Sequence, residues 1–172
     1  MKKVDSLEFA LDFEINGTVL YLKLAKKTKN ILSKRLFYSL ASQEIDHAKR
    51  VDEIYEMVKE NKVWEVLGER NLSSVEFELK DFFKKAKKIN LKRDTENLSG
   101  YKIAMEMEEK GYIAYNNFYN NSKNESEKKF FKQLMEQEKE HLESLRNVYY
   151  YLTKTGDWLQ ENESKIWSWM NI

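Results

Sequence analysis

The chain has two histidines, His47 and His141, and each follows a glutamate by three positions, Glu44 and Glu138. A further glutamate stands thirty positions before each of these, Glu14 and Glu108. Residues i and i+3 share one face of a helix, so each Glu-x-x-His pair offers a carboxylate oxygen and an imidazole nitrogen to one point. With Glu14 and Glu108 added from neighbouring helices, four carboxylates and two imidazoles meet. Two divalent cations balance four carboxylate charges, and hard oxygen with borderline nitrogen ligands suits iron or manganese better than cuprous copper. Without cations such a core is costly, because buried carboxylates repel and must take up protons. By composition, glutamate at that spacing before both histidines arises about once in 60 trials, which makes the doubled pattern informative.

The constellation sits within an internal duplication. Residues 10–58 laid on residues 104–152 pair Ala10 with Ala104, Glu14 with Glu108, Gly17 with Gly111 and Tyr21 with Tyr115. The same offset of 94 pairs Phe37 with Phe131, Leu40 with Leu134, Gln43 with Gln137, Glu44 with Glu138, His47 with His141 and Tyr55 with Tyr149. The chain therefore reads as a helical hairpin used twice.

Four helices must position these groups. Apolar residues recur at three- and four-residue spacing, the helical period. The first helix, over 5–27, faces inward with Leu7, Ala10, Glu14, Gly17, Tyr21 and Leu24. The third, over 97–121, does so with Tyr101, Ala104, Glu108, Gly111, Tyr115 and Phe118. The second carries Phe37, Leu40, Glu44, His47, Val51, Ile54 and Val58, and the fourth Phe131, Leu134, Glu138, His141, Leu145, Val148, Tyr149 and Leu152. Each stripe holds a glutamate where the period calls for a core residue. Capping-box spacing at Ser73 with Glu76 and at Asn124 with Glu127, and a C′ glycine at Gly156, mark helix ends. The stretch 60–100 is too long for a tight turn, and Val75, Leu79, Phe82, Phe83 and Ala86 place a short amphipathic helix in a crossover between bundle ends. The expected layout is one domain over 1–172: hairpins at 5–58 and 101–154, a crossover at 59–100 and a helical tail at 156–172.

Composition agrees with this all-α reading. Proline is absent and glycine occurs five times in 172 residues, too few for the turns of a β protein. A net charge of +1 gives no field that argues for nucleic acid or a membrane surface. The run Lys84, Lys85, Lys87, Lys88, Lys92, Arg93 reads as a solvated helix face. Absence of cysteine excludes thiolate metal sites, iron–sulfur clusters and disulfides from this chain. No stretch has a membrane span's run of apolar residues, and no apolar signal core follows Met1, so a cytoplasmic location is expected.

One glutamate from each of two helices plus Glu-x-x-His from each of the other two resembles the ferritin-like di-iron carboxylate proteins. The interval of seven from Glu14 to Tyr21 and from Glu108 to Tyr115, together with the crossover, resembles the rubrerythrin branch most closely. The likeness covers residues 5–154 and implies a ferritin-like four-helix bundle. It further implies two iron ions, with manganese as the alternative: Glu14 and His47 on one ion, Glu108 and His141 on the other, and Glu44 and Glu138 bridging. Tyr21 and Tyr115 fall where the family has tyrosines that hydrogen-bond ligand carboxylates. Gln43 and Gln137 precede the bridging glutamates, and their carbonyls are expected to orient the opposite histidines.

Two departures qualify the resemblance. Rubrerythrins usually carry a second glutamate three positions after the first in the third helix, and Gly111 stands there. The family's four-cysteine rubredoxin domain is also missing, so electrons are expected from a separate donor protein. Gly17 and Gly111 are expected to permit close helix approach and to leave room for an oxidant. Met105, Met107 and Met135 read as core filler, and the Trp158, Trp167 and Trp169 tail as a packing segment or subunit contact. The expected function is reduction of peroxide or dioxygen, with the four glutamates and the metals as the catalytic centre and a homodimer as the assembly. The rival readings are a ferroxidase or iron-binding module without sustained turnover, and a metal-free helical interaction module.

Overall fold

The computed structural model describes residues 3–60, 75, 79 and 98–153. Among these residues there are four long helices: α1 (Lys3–Lys27), α2 (Ile31–Lys59), α3 (Leu98–Asn121) and α4 (Glu125–Thr153). They form the all-α four-helix bundle that the duplicated stripes predict. None is long and apolar enough to cross a membrane.

Local chemistry sets the ends. Asn30 caps α2, its side chain accepting from the Ser33 amide at 3.0 Å. Asn124 caps α4, its Oδ1 accepting from the Ser126 and Glu127 amides at 2.8 and 3.2 Å. Each such oxygen satisfies amides that the first helical turn leaves unpaired. Asn124→Ala is therefore expected to cost about 1 kcal/mol, a fall of about 2–4 °C in Tm for a chain of this size, measurable by thermal denaturation.

Helices α1 and α2 pack along each other as one hairpin, and α3 and α4 as the other, while α1 meets α3 and α2 meets α4 more narrowly. The cross-hairpin pairs are antiparallel. Phe9 lies on Phe118 and Phe13 on Tyr115, and across the other pair Gln43 meets His141 and Arg50 meets Gln133. The end of α2 lies beside the start of α1, where Tyr55 bonds Glu8 at 2.8 Å. The start of α3 lies beside the end of α1, where Leu24 touches Gly100. The connection from α2 to α3 thus has to travel the length of the bundle. Val75 and Leu79, the described residues of that connection, are helical and buried. Phe82, Phe83 and Ala86, the Ser73–Glu76 box, Gly156 and the tail at 156–172 lie outside the described residues.

Two apolar clusters close the two ends. One gathers Tyr21, Leu36, Phe37, Leu40, Tyr101 and Leu145, with Val75 and Leu79. The other gathers Leu7, Ala10, Val51, Ile54, Phe131 and Leu134, with Tyr115. Fully burying one such leucine or phenylalanine is worth about 1.5–3 kcal/mol, so these clusters supply the stability against which a polar centre can be held. Between them, in mid-bundle, lie the six glutamates and histidines.

Candidate metal centre

Glu14, Glu44, His47, Glu108, Glu138 and His141 are all completely buried. Their donor atoms form two groups, Glu14, Glu44, His47 and Glu138 in one and Glu44, Glu108, Glu138 and His141 in the other. In each group the atoms lie within 4.8 Å of one another. Glu44 and Glu138, one from α2 and one from α4, belong to both.

Both imidazoles turn Nδ1 toward the carboxylates. His47 Nδ1 is 3.2 Å from Glu14 Oε2 and 3.4 Å from Glu44 Oε2. His141 Nδ1 is 3.1 Å from Glu44 Oε1 and 3.6 Å from Glu108 Oε2. Across the ring, His141 Nε2 lies 2.7 Å from Gln43 Oε1. An amide carbonyl only accepts, so this contact places the ring proton on Nε2 and leaves Nδ1 as a lone pair aimed at carboxylate oxygens. Such a pairing is repulsive unless a proton or a cation lies between.

The electrostatics say the same. Burial, then the Glu44 charge, pushes the Glu14 carboxyl up to about 8. Burial and the charges of Glu108, Glu44 and Glu14 raise Glu138 well above the carboxylate range. Glu44 moves the other way: burial opposes its charge, but the neighbouring Glu14 carboxyl and the two imidazoles hold it well below. Burial disfavours the charged imidazoles, yet the glutamates facing them lift His47 to about 9 and His141 well above its ordinary value.

A pair of cations fits this donor set. Both oxygens of Glu44, Glu108 and Glu138 and Nδ1 of His141 are buried without a hydrogen-bond partner, an exceptional concentration of unsatisfied groups for one core. Metal–ligand bonds of about 2.0–2.2 Å set neighbouring ligands about 3–3.5 Å apart, which is the spacing of the contacts above.

The surrounding residues divide the two halves. Tyr115, buried, donates its hydroxyl to Glu14 Oε1. Its burial and the nearby Glu14 and Glu138 charges raise its pKa well above the phenol value, so it stays a donor. Tyr21, its counterpart, is buried with its hydroxyl unpaired and its ring stacked on Phe37 at 6.2 Å. Likewise Gln43 reaches His141, whereas Gln137 Oε1 and His47 Nε2 each lack a partner. Arg50 ties α2 to α4 through Gln133 at 3.1 Å, and the residue at its equivalent position is Ser144.

Gly111 leaves no room for a Cβ as its neighbours stand, and Gly17 leaves a tight fit. A Cβ on Gly111 would lie 2.7 Å from Glu138 Oε2 and 2.7 Å from the Phe13 ring, and one on Gly17 would lie 3.3 Å from Met107 Cε and 3.4 Å from Glu44. The space expected for an oxidant is taken by Phe13 and Met107, residues that sequence reasoning passed over or read as filler. The offset of 94 pairs them, and each directly precedes a glutamate of the cluster. That was the available signal.

The family model described as Rubrerythrin matches residues 5–149. The chain belongs to the rubrerythrin family. Nothing among the curated proteins or the solved structures matches it. Its bundle is ferritin-like, and its buried carboxylate and histidine cluster fits the dinuclear iron site typical of rubrerythrins. It departs from the usual rubrerythrin pattern at Gly111, where even a Cβ would require the Phe13 ring and the Glu138 carboxylate to shift.

Proposed function

We propose that the protein is a rubrerythrin-like oxidoreductase that reduces peroxide, or dioxygen, at two iron ions, taking its electrons from a separate donor protein. The observation that carries this reading is the set of six buried donors, mutually close and largely unsatisfied. In this reading Glu14 and His47 would hold one ion and Glu108 and His141 the other, and Glu44 and Glu138 would serve both, because those two alone fall in both donor groups.

Iron held there would supply the two electrons that cleavage of an O–O bond requires. Two further protons convert hydrogen peroxide to two waters. The protein's own contribution is arrangement. Four carboxylates offset the cationic charge, Gln43 fixes the His141 tautomer, and Tyr115 steadies Glu14 while holding a proton at its hydroxyl. The flanking apolar clusters exclude bulk water, which strengthens every charge interaction inside.

Gly111 favours a second reading, oxidation of iron without sustained turnover, since the carboxylate that the resemblance associates with peroxide chemistry is absent. One experiment separates the readings. Protein loaded anaerobically with Fe(II) and desalted should retain about two irons per chain. Repeated additions of peroxide with an external reductant should then give many turnovers. A single oxidation per loaded pair would favour the iron-oxidising module, and a folded chain that retains no metal would leave the helical interaction module.

A further inference from the structure

On its α1/α3 side the centre is walled by single side chains. The Phe13 ring and the Glu138 carboxylate flank the same point above Gly111, and the Met107 methyl and the Glu44 carboxylate flank the equivalent point above Gly17. Phe13 and Met107 are both half-buried, so each touches the cluster's surroundings on one side and solvent on the other.

The other walls are closed differently. Each hairpin interface, α1 with α2 and α3 with α4, is packed along its length. Between α2 and α4 the two imidazole rings stack, centroids 5.5 Å apart and planes within 12°. Gln43 on His141 and Arg50 on Gln133 then tie that side with hydrogen bonds. On the α1/α3 wall the hydrogen bond from Tyr115 to Glu14 ties the helices beside Phe13, while the Met107 methyl above Gly17 meets its surroundings through van der Waals contact, which parts without breaking that bond.

Its two halves differ in stiffness. Phe13 is held by Phe9, stacked at 6.0 Å, and by Tyr115, edge-on at 5.9 Å. Met107 is an unbranched side chain with several rotatable bonds. One element is therefore held by ring contacts, and the other is a side chain that can change rotamer at low cost.

We propose that Phe13 and Met107 form an apolar gate over the metal centre, one that passes hydrogen peroxide and dioxygen and excludes bulky organic hydroperoxides. This inference rests on the metal-centre reading above. The chain selects its oxidant by size at a wall whose fixed edge is aromatic and whose movable edge is a thioether.

The test uses the full chain in two loaded forms. With iron, the rate of ferrous oxidation is followed on mixing with hydrogen peroxide or cumene hydroperoxide. Either oxidant takes one electron from each ferrous ion and two protons, yielding two waters in the first case and cumyl alcohol with one water in the second. Phe13→Ala should raise the cumene hydroperoxide rate about tenfold or more and leave the hydrogen peroxide rate within about threefold, the scale on which pocket volume discriminates. Phe13→Leu should move both rates the same way by less, and serves if the alanine variant fails to fold. With cobalt(II), the association rate of azide is read from the metal's absorption bands. It should rise in Phe13→Ala and fall in Met107→Phe, while Ile113→Ala, an exposed site on α3, leaves it unchanged. Full cobalt occupancy with unaltered azide rates and an unaltered peroxide ratio overturns the gate alone. Failure of the unmutated chain to bind cobalt overturns the metal-centre reading and the gate with it.

Discussion

Glu44→Ala and Glu138→Leu are expected to abolish paired metal binding alike, yet to move the stability of the metal-free protein in opposite directions. The two positions are equivalent in the duplicated hairpins, but their surroundings are not. Both imidazoles turn Nδ1 to Glu44, at 3.4 Å from His47 and 3.1 Å from His141, and Glu44 is held ionised between them. Glu138 instead meets burial and three other glutamates, which disfavour its charged form. Its two oxygens have no hydrogen bond. Removing Glu44 takes from both buried imidazoles the one ionised carboxylate they share, leaving only Glu14 and Glu108 to face them, a loss of about 3 kcal/mol. Replacing Glu138 with leucine removes an unsatisfied buried group and is expected to gain about 1–3 kcal/mol. Thermal melts in the presence of chelator, paired with metal analysis after loading, give both readouts. Two ions retained by either variant would break the bridging assignment. Metal-free melting points that shift together would break the electrostatic account.

How far the sequence reaches is set by which features repeat with the helical period. Glu14, Glu44, His47 and their partners at an offset of 94 are legible because a charged residue in an apolar stripe is anomalous wherever it falls. The stripes also forecast the four helices, and Asn124 with Glu127 forecast the start of α4. The asymmetry within the centre is not legible in this way. Tyr21 and Tyr115 are identical in type and register, and only side-chain placement decides that Tyr115 reaches Glu14 while the Tyr21 hydroxyl stays unpaired. Gln43 and Gln137 divide in the same manner. Gly17 and Gly111 do permit the close approach expected of them, but the open space also expected beside them is a misreading with a related cause. An absent side chain in a sequence looks like free volume, but interiors are close-packed, and the neighbouring helix fills that volume with Phe13 and Met107.

Metal affinity is expected to rise with pH while the metal-free fold weakens, so the melting gap between loaded and chelated protein widens from pH 5.5 to 8.5. The signs follow from the direction of each shift. Glu14 is raised from 4.5 to about 8 and His47 from 6.5 to about 9, so the metal-free folded chain binds protons more tightly than the unfolded one. The stability that each proton confers is complete below the unfolded value and is lost as pH climbs through the folded one: from 4.5 to about 8 for Glu14, and from 6.5 to about 9 for His47. Glu138 and His141, raised in the same direction, add to the loss. Glu44 is depressed, so its contribution disappears only as pH falls below the usual carboxylate range. The metal-free protein is accordingly most stable in mild acid. A cation must displace the protons that Glu14 and His47 both hold at pH 7. Glu14 and His47 alone release two protons, so affinity climbs by at least about a hundredfold per pH unit, or about 2.7 kcal/mol. Proton release into a weakly buffered indicator solution on anaerobic Fe(II) addition measures the stoichiometry directly, and melts at several pH values measure the gap. A gap that stays constant or narrows toward alkaline pH would mean that the buried protons do not occupy the place of the metals.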